Sequence, residues 1–382
     1  MRKRTSPPFR WLPDLPGLRL VQVRRWTRVS DLEPLPPREA TEMWLDRQRS
    51  EKSEASVKSY YYRMKQFVEW CEDQEIENLN DLSGRTIYEY SSDRRGQDLS
   101  ISTLKSQLGT LKRFLEFCET IEAVEPDLSK RVDVPSPSKR EEASDELLKP
   151  RRAERILEKL ERYRYASRDH TMFALMWYTG ARIGSIQALD TTDCYLEESD
   201  LSRLEINADV TVSTPFVYFK NRPETDTPLK NRHHGERPVS LPEDVGKIIS
   251  EYIEVRREDI VDEYGRKPLF PAAKKQGRVT KGALRNRVYI LTQPCRLGKC
   301  PHGRDKQSCE ALEHGNEARC PSSRSPHPVR SGSITHQRDL GIPPEVVSER
   351  VNASQEVIEL HYDRPDLLRR MESRRKHIQK ME

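Results

Sequence analysis

The sequence predicts a mainly α-helical protein with one small antiparallel β-sheet, divided into two domains by an aperiodic stretch. Three observations predict it. Apolar residues recur at helical spacing in two separate parts of the chain. Between those parts the period vanishes while Pro, Ser and charges accumulate. Alternation with β-branched residues occurs within the second part alone. A chain of 382 residues is long for a single core and comfortable for two.

Residues 1–35, rich in Pro and Arg without a sustained period, read as a flexible basic arm, and they lack the continuous apolar run of a secretory signal. Residues 36–122 then read as a small helical bundle. Val57, Tyr61, Met64, Phe67, Val68 and Cys71 fall on one helix face, and Leu104, Leu108, Leu111, Leu115 and Cys118 repeat the pattern. "SISTLKSQ" offers Ser and Thr as caps for the second of these helices, and "DLSGRTIYEYSSDRR" reads as a shorter helix between them. Residues 123–149 read as a linker.

The second domain, residues 150–382, opens with helical spacing at Ile156, Leu157 and Leu160 and again in "HTMFALMWYTGARIGSIQAL". "SRLEINADVTVSTPFVYFKNR" turns to alternation and predicts two or three short strands, with "GERPVSLP" as a returning strand. Val245, Ile248, Ile249, Tyr252 and Ile253 mark a further helix. The remainder reads as helical apart from a Cys-rich insert at 294–321.

The 67 basic and 62 acidic residues nearly balance, leaving +5, so the composition permits local basic faces for a polyanion without requiring one. No segment approaches the roughly 20 apolar residues that span a bilayer, which predicts a soluble, cytoplasmic protein with no membrane partner. Seven cysteines in that setting point to thiols or metal ligands, not disulfides. Four of them, Cys295, Cys300, Cys309 and Cys320, lie in the insert at C-x4-C-x8-C-x10-C spacing, with His302 next to Cys300 as an alternative ligand. Four thiolates suit tetrahedral zinc, and a short polar insert buries too little to fold without help, so a structural zinc is expected there. Cys71, Cys118 and Cys194 read as core residues.

Chemistry concentrates in three short stretches. In "YTGARIGSIQALDTTD" Gly180 supplies a permissive turn and Arg182 opens the next helix, where amides and dipole favour an anion. "SPHPVRSGSITH" carries His327 three residues ahead of Arg330, and "VIELHYDR" carries Tyr362, the last tyrosine of the chain. In this order and spacing the three stretches resemble the tyrosine recombinase (integrase) family, in its archaeal, Xer-related form, over most of the chain.

The resemblance implies an N-terminal helical SAM-like core-binding domain followed by an α+β catalytic domain. It implies that Arg182 and Arg330 present guanidinium forks to the non-bridging oxygens of a phosphodiester, and that His327 shares that contact or assists proton transfer. Tyr362 would be the nucleophile, leaving a 3′-phosphotyrosyl link and needing no catalytic cofactor. The family's general acid is a lysine of the β-hairpin after the first arginine; Lys230 matches, with Lys220 as its rival. Partners follow: double-stranded DNA at specific sites, and further copies of the chain as a tetramer on paired sites.

Two positions depart from the family pattern. Ser185 stands where a carboxylate is usual, and Asn352 or Ala353 where His or Trp is usual; His361, beside Tyr362, is a further candidate for that place. The alternatives are a DNA-binding regulator whose catalytic set has decayed, which these departures favour, and a type IB topoisomerase-like relaxase, against which the arm-plus-bundle layout argues.

Overall fold

The computed structural model describes residues 32–137, 146–207, 209–275 and 277–361, together with 371, 372 and 375. The expected basic arm up to residue 31 and most of the segment after His361 lie outside them. The chain divides into two compact units, before and after Pro137. Among the described residues no helix is long and apolar enough to cross a membrane.

The first unit contains α1 (Pro37–Glu51), α2 (Glu54–Asp73), α3 (Gly84–Gly96) and α4 (Ile101–Thr120). Serines start three of them: the side chains of Ser53, Ser83 and Ser100 accept from the backbone amides of Ser56, Thr86 and Thr103, satisfying donors that a helix start leaves unpaired. The core is aromatic. Phe67 meets Tyr90 edge-on at 5.2 Å, and Trp44 meets Phe114 edge-on at 6.0 Å. Tyr61, expected inside, is exposed; Tyr60 packs on Trp44 in its place, because Tyr61 sits at the rim of the face that Met64 and Cys71 centre. This core continues past α4 through Ala123, Val124, Leu128 and Val132.

The second unit is built around α6 (Arg168–Thr179), buried nearly all round between α5 (Pro150–Arg164), α8 (Glu243–Glu251) and α10 (Pro326–Asp339). The short α7 (Ile183–Ala188) follows α6, and α9 (Lys281–Leu291) packs on α7. The sheet is antiparallel in the order β1 (Cys194–Tyr195), β2 (Phe216–Phe219), β3 (Arg237–Ser240), with Val217 opposite Val239 and Phe219 opposite Arg237. Among the described residues of the alternating segment only Phe216–Phe219 is a strand. Residues 198–203 wind into a 3-10 turn instead, capped by Asp200, whose carboxylate accepts from the amides of Leu196 and Glu197. A second small pair, β4 (Pro271–Ala272) and β5 (Gly277–Arg278), precedes α9. The chain closes with α11 (Pro344–Val351) and α12 (Gln355–His361), where Ile358 packs on Ile334, Val347 and Val351.

Buried ions fix the sheet to its surroundings. Asp193 holds Arg222 in a two-pronged pair at 2.6 and 2.9 Å, and Asp190 receives Arg266 at 2.8 Å as well as Arg278. These pairs anchor the root of the long β2–β3 hairpin, whose register the two strands alone, four residues each, would hold weakly.

Candidate active site

The site grows from the end of α6. Gly180 caps that helix in the left-handed conformation (φ +59°), and a Cβ there would fall 2.9 Å from Val351 Cγ1, so glycine lets α11 approach the turn. The chain leaves extended through Arg182, the N-cap of α7. From there the Arg182 guanidinium reaches the far end of α11: Nη1 donates to the Asn352 carbonyl at 2.9 Å and lies 3.4 Å from its Oδ1.

Arg330 arrives at the same place from α10. Only 3% exposed, it donates through Nη1 to Gly180 O at 2.6 Å and Val351 O at 2.7 Å. Val351 and Asn352 are the end of α11, where helix carbonyls lack intrahelical partners and the dipole is negative. Two arginines 148 positions apart are thus held by consecutive residues. Helix α10 is itself fixed tightly. Ser333 Oγ donates to Trp177 O, and a Cβ on Gly332 would collide with Leu148 O at 2.0 Å. His327 is exposed on the first turn of α10, one helical turn before Arg330 and on the same side.

A third guanidinium, not anticipated from the sequence, belongs to this cluster. Arg237 opens β3, lies over the Phe219 ring at 4.7 Å, and donates to Arg350 O at 2.7 Å and Gly235 O at 2.8 Å. Burial, aided by repulsion from Arg330 and Arg182, pulls its guanidinium down to about 9. The signal available in the sequence was an arginine at the head of the returning strand, directly after the hairpin, but nothing local distinguishes it from a surface cation.

The hairpin separates the two lysines. Lys220 is engaged on the sheet, with Nζ 3.4 Å from Tyr195 Oη, 3.7 Å from Asp193 Oδ1 and over the Tyr218 ring. Lys230 is exposed in the outer turn. One neighbour, Leu229, is buried with its amide on Asn221 Oδ1; the other, Asn231, donates through Nδ2 to Asn352 Oδ1. The Lys230 turn is therefore tied to the residue that receives Arg182. Ser185 is buried within α7, and Ala353 packs partly buried beside Val347 and Val351. Tyr362 follows the last residue of α12 in sequence and lies outside the described residues; of the His361 side chain nothing is described.

The expected zinc site is not supported. Cys295, Cys300, Cys309 and Cys320 are free thiols, and among the described residues no group of three or more His, Cys, Asp or Glu side chains is gathered to hold a metal. The insert folds instead as separate 3-10 turns held by scattered contacts: Gln293 donates to Ala311 O, Arg152 to Ser322 O, and His302 contacts Ser322 Oγ. Cys71, Cys118 and Cys194 are buried as expected, and burial raises all three thiols, Cys71 to about 12.

Comparison with known proteins adds to this geometry. Residues 41–120 match the phage integrase N-terminal SAM-like domain. The chain is also similar, at 41% identity, to the N-terminal domain of a phage integrase/site-specific recombinase from Haloarcula marismortui, over 27% of this chain and 99% of that one (TM-score 0.27). Across the whole chain, the Tn1549 transposon integrase in complex with a circular intermediate DNA is 13% identical, covering 91% of this chain and 100% of that one, at a TM-score of 0.60. The XerH recombinase bound to a palindromic difH substrate is 16% identical over 84% of this chain and 79% of that one, at 0.57. These two show the fold. No curated protein matches the chain.

Proposed function

We propose that the chain is a site-specific recombinase of the tyrosine recombinase (integrase) family that cuts and rejoins DNA through Tyr362, a reading supported by the integrase SAM-like match over residues 41–120 and the integrase-like fold. The observation that carries this reading is the convergence of Arg182 and Arg330 on the end of α11, with Arg237 beside them. Three guanidiniums repelling one another in a partly buried place are costly alone and favourable around a phosphate.

The chemistry follows from those groups. The Tyr362 oxygen attacks the phosphorus in line, and the bond to the 5′-oxygen breaks. Lys230 gives that oxygen its proton, so a free 5′-hydroxyl leaves. Arg182 and Arg330 stabilise the extra charge on the non-bridging oxygens, and His327 shares an oxygen or helps to remove the tyrosine proton. The 3′-phosphotyrosyl link conserves the bond energy, so a 5′-hydroxyl from another strand can reverse the step without ATP or a catalytic metal. Exchange between two duplexes needs four such centres, hence a tetramer on paired sites. The first unit supplies part of the grip on DNA, as an integrase SAM-like domain.

The test is covalent trapping. The protein is incubated with labelled duplexes from its own genetic neighbourhood, nicked so that the cut fragment diffuses away, and run on a denaturing gel. An adduct with the wild type that is absent in Tyr362→Phe is expected. Tight DNA binding without any adduct would overturn the recombinase reading and favour a DNA-binding regulator.

A further inference from the structure

We propose that Asn352 is a positioning residue that latches the Lys230 hairpin to the Arg182 end of the site, coupling leaving-group protonation to the phosphate clamp. This rests on the reading of Lys230 as general acid, and goes beyond it by assigning what holds that lysine in place.

The observations are geometric. Asn352 ends α11 in the left-handed conformation (φ +52°), which asparagine tolerates better than most residues. From that one position it engages three partners. Its carbonyl accepts Arg182 Nη1; its Oδ1 accepts Asn231 Nδ2; its Nδ2 donates to His234 O. Asn231 and His234 bracket the outer turn of the hairpin, and Asn231 follows Lys230 directly.

The outer turn has few other anchors. Asn221 fixes one side through the Leu229 amide, while Lys230, Asn231, Arg232, His233 and His234 are all exposed. Arg237 Nη1 holds Gly235 O at the other end, but an exposed loop tethered at its ends still has many conformations of similar energy, and a general acid must sit within hydrogen-bond reach of the leaving oxygen to work. The Asn352 side chain removes that freedom from the far side. The amide accepts from Asn231 and donates to His234 O through separate atoms, whereas a carboxylate has no proton to donate to that carbonyl.

The test separates the latch from the clamp. Asn352→Gly keeps the left-handed backbone and its carbonyl but removes the amide; Asn231→Ala, at an exposed position, removes the other end of one bond. Each is assayed for covalent complex formation on nicked duplexes carrying a 5′-bridging oxygen or a 5′-bridging sulfur at the cleaved phosphate. A thiolate leaves without a proton, so the sulfur substrate does not need Lys230. Each variant should be slower by about tenfold with oxygen, the effect of losing one or two positioning hydrogen bonds, and within about twofold of wild type with sulfur. The double variant should be little worse than either single one.

Equal losses on both substrates, or no loss on either, would overturn the latch while leaving the recombinase reading intact. Failure of the wild type to form an adduct on either substrate would overturn both. Thermal unfolding of the variants, expected to stay within a few degrees of wild type, separates slow chemistry from poor folding.

Discussion

The two units of this protein are stabilised by different physics. The first is held by aromatic and aliphatic side chains: Trp44, Phe67, Tyr90 and Phe114 interlock, and its helices start on serine caps. The second has a larger apolar core but concentrates buried charge around its site, with Arg330, Asp190 and Asp193 buried and Arg237 half-buried. An apolar interior is non-directional and tolerates repacking. A buried ion must find its partner in one geometry or destabilise the fold. The first arrangement suits a grip, and the second suits a site that has to place charges to a fraction of an ångström.

The comparison can be broken most forcefully at Arg330. Replacing it with alanine leaves Gly180 O and Val351 O unpaired and removes half of the proposed clamp. Covalent adduct formation should fall by about a thousandfold with DNA binding nearly retained. A variant cleaving at close to the wild-type rate would show that the buried charge serves the fold alone.

Next come two substitutions of similar cost and different character. Phe114→Ala in the first core should lose about 3–5 kcal/mol in denaturant unfolding, because the ring is fully buried. Asp193→Ala should lose about 3 kcal/mol from the second unit, because the partly buried Arg222 keeps only Asp190, at 3.7 Å, and Lys220 also loses its carboxylate. The two are separable: conservative Asp193→Asn should recover little of the loss, whereas Phe114→Leu should recover much of it. If Asp193→Asn proves as stable as wild type, the ionic account of the hairpin root fails.

The smallest effect concerns pH. His170 is buried near the start of α6, its Nδ1 facing the Ala166 amide, and burial lowers its pKa to about 4. The folded state thus favours neutral imidazole, while the unfolded chain binds a proton near the ordinary value of about 6.5. Between these values the unfolded state carries more protons, so stability present above about pH 6.5 is lost as pH falls towards 4. The loss should reach about 3 kcal/mol, and it should be confined to the unfolding of the second unit. His170→Gln should flatten that slope, and an unchanged slope would place its origin elsewhere.

Much of this was legible in the residues. Helical spacing placed α2 and α4, a serine cap marked the start of α4, and the Thr-Gly turn before Arg182 has the left-handed glycine the sequence called for. The misreadings share a cause. Tyr61 lies at the edge of a periodic face, where one position decides between core and solvent. The stretch before Phe216 alternates like a strand yet has only one partnered segment, since a strand requires a neighbour that no local pattern specifies. Cysteine spacing suggested a metal, but spacing does not fix where four thiols point.

The sequence by itself therefore determined that both domains are mainly helical, where α4 begins, and in what order two arginines, a histidine and a tyrosine are presented. Those are local properties, set within a few residues by side-chain period and capping. The tertiary structure alone decided that Arg182 and Arg330 end on consecutive carbonyls, that Arg237 joins them, and that Asn352 ties the lysine hairpin to the first arginine. Each of those contacts links residues more than a hundred positions apart, apart from Arg330 to Val351 within the C-terminal helices. Their geometry comes from how α6, α10 and α11 pack, and no pattern along the chain encodes that packing.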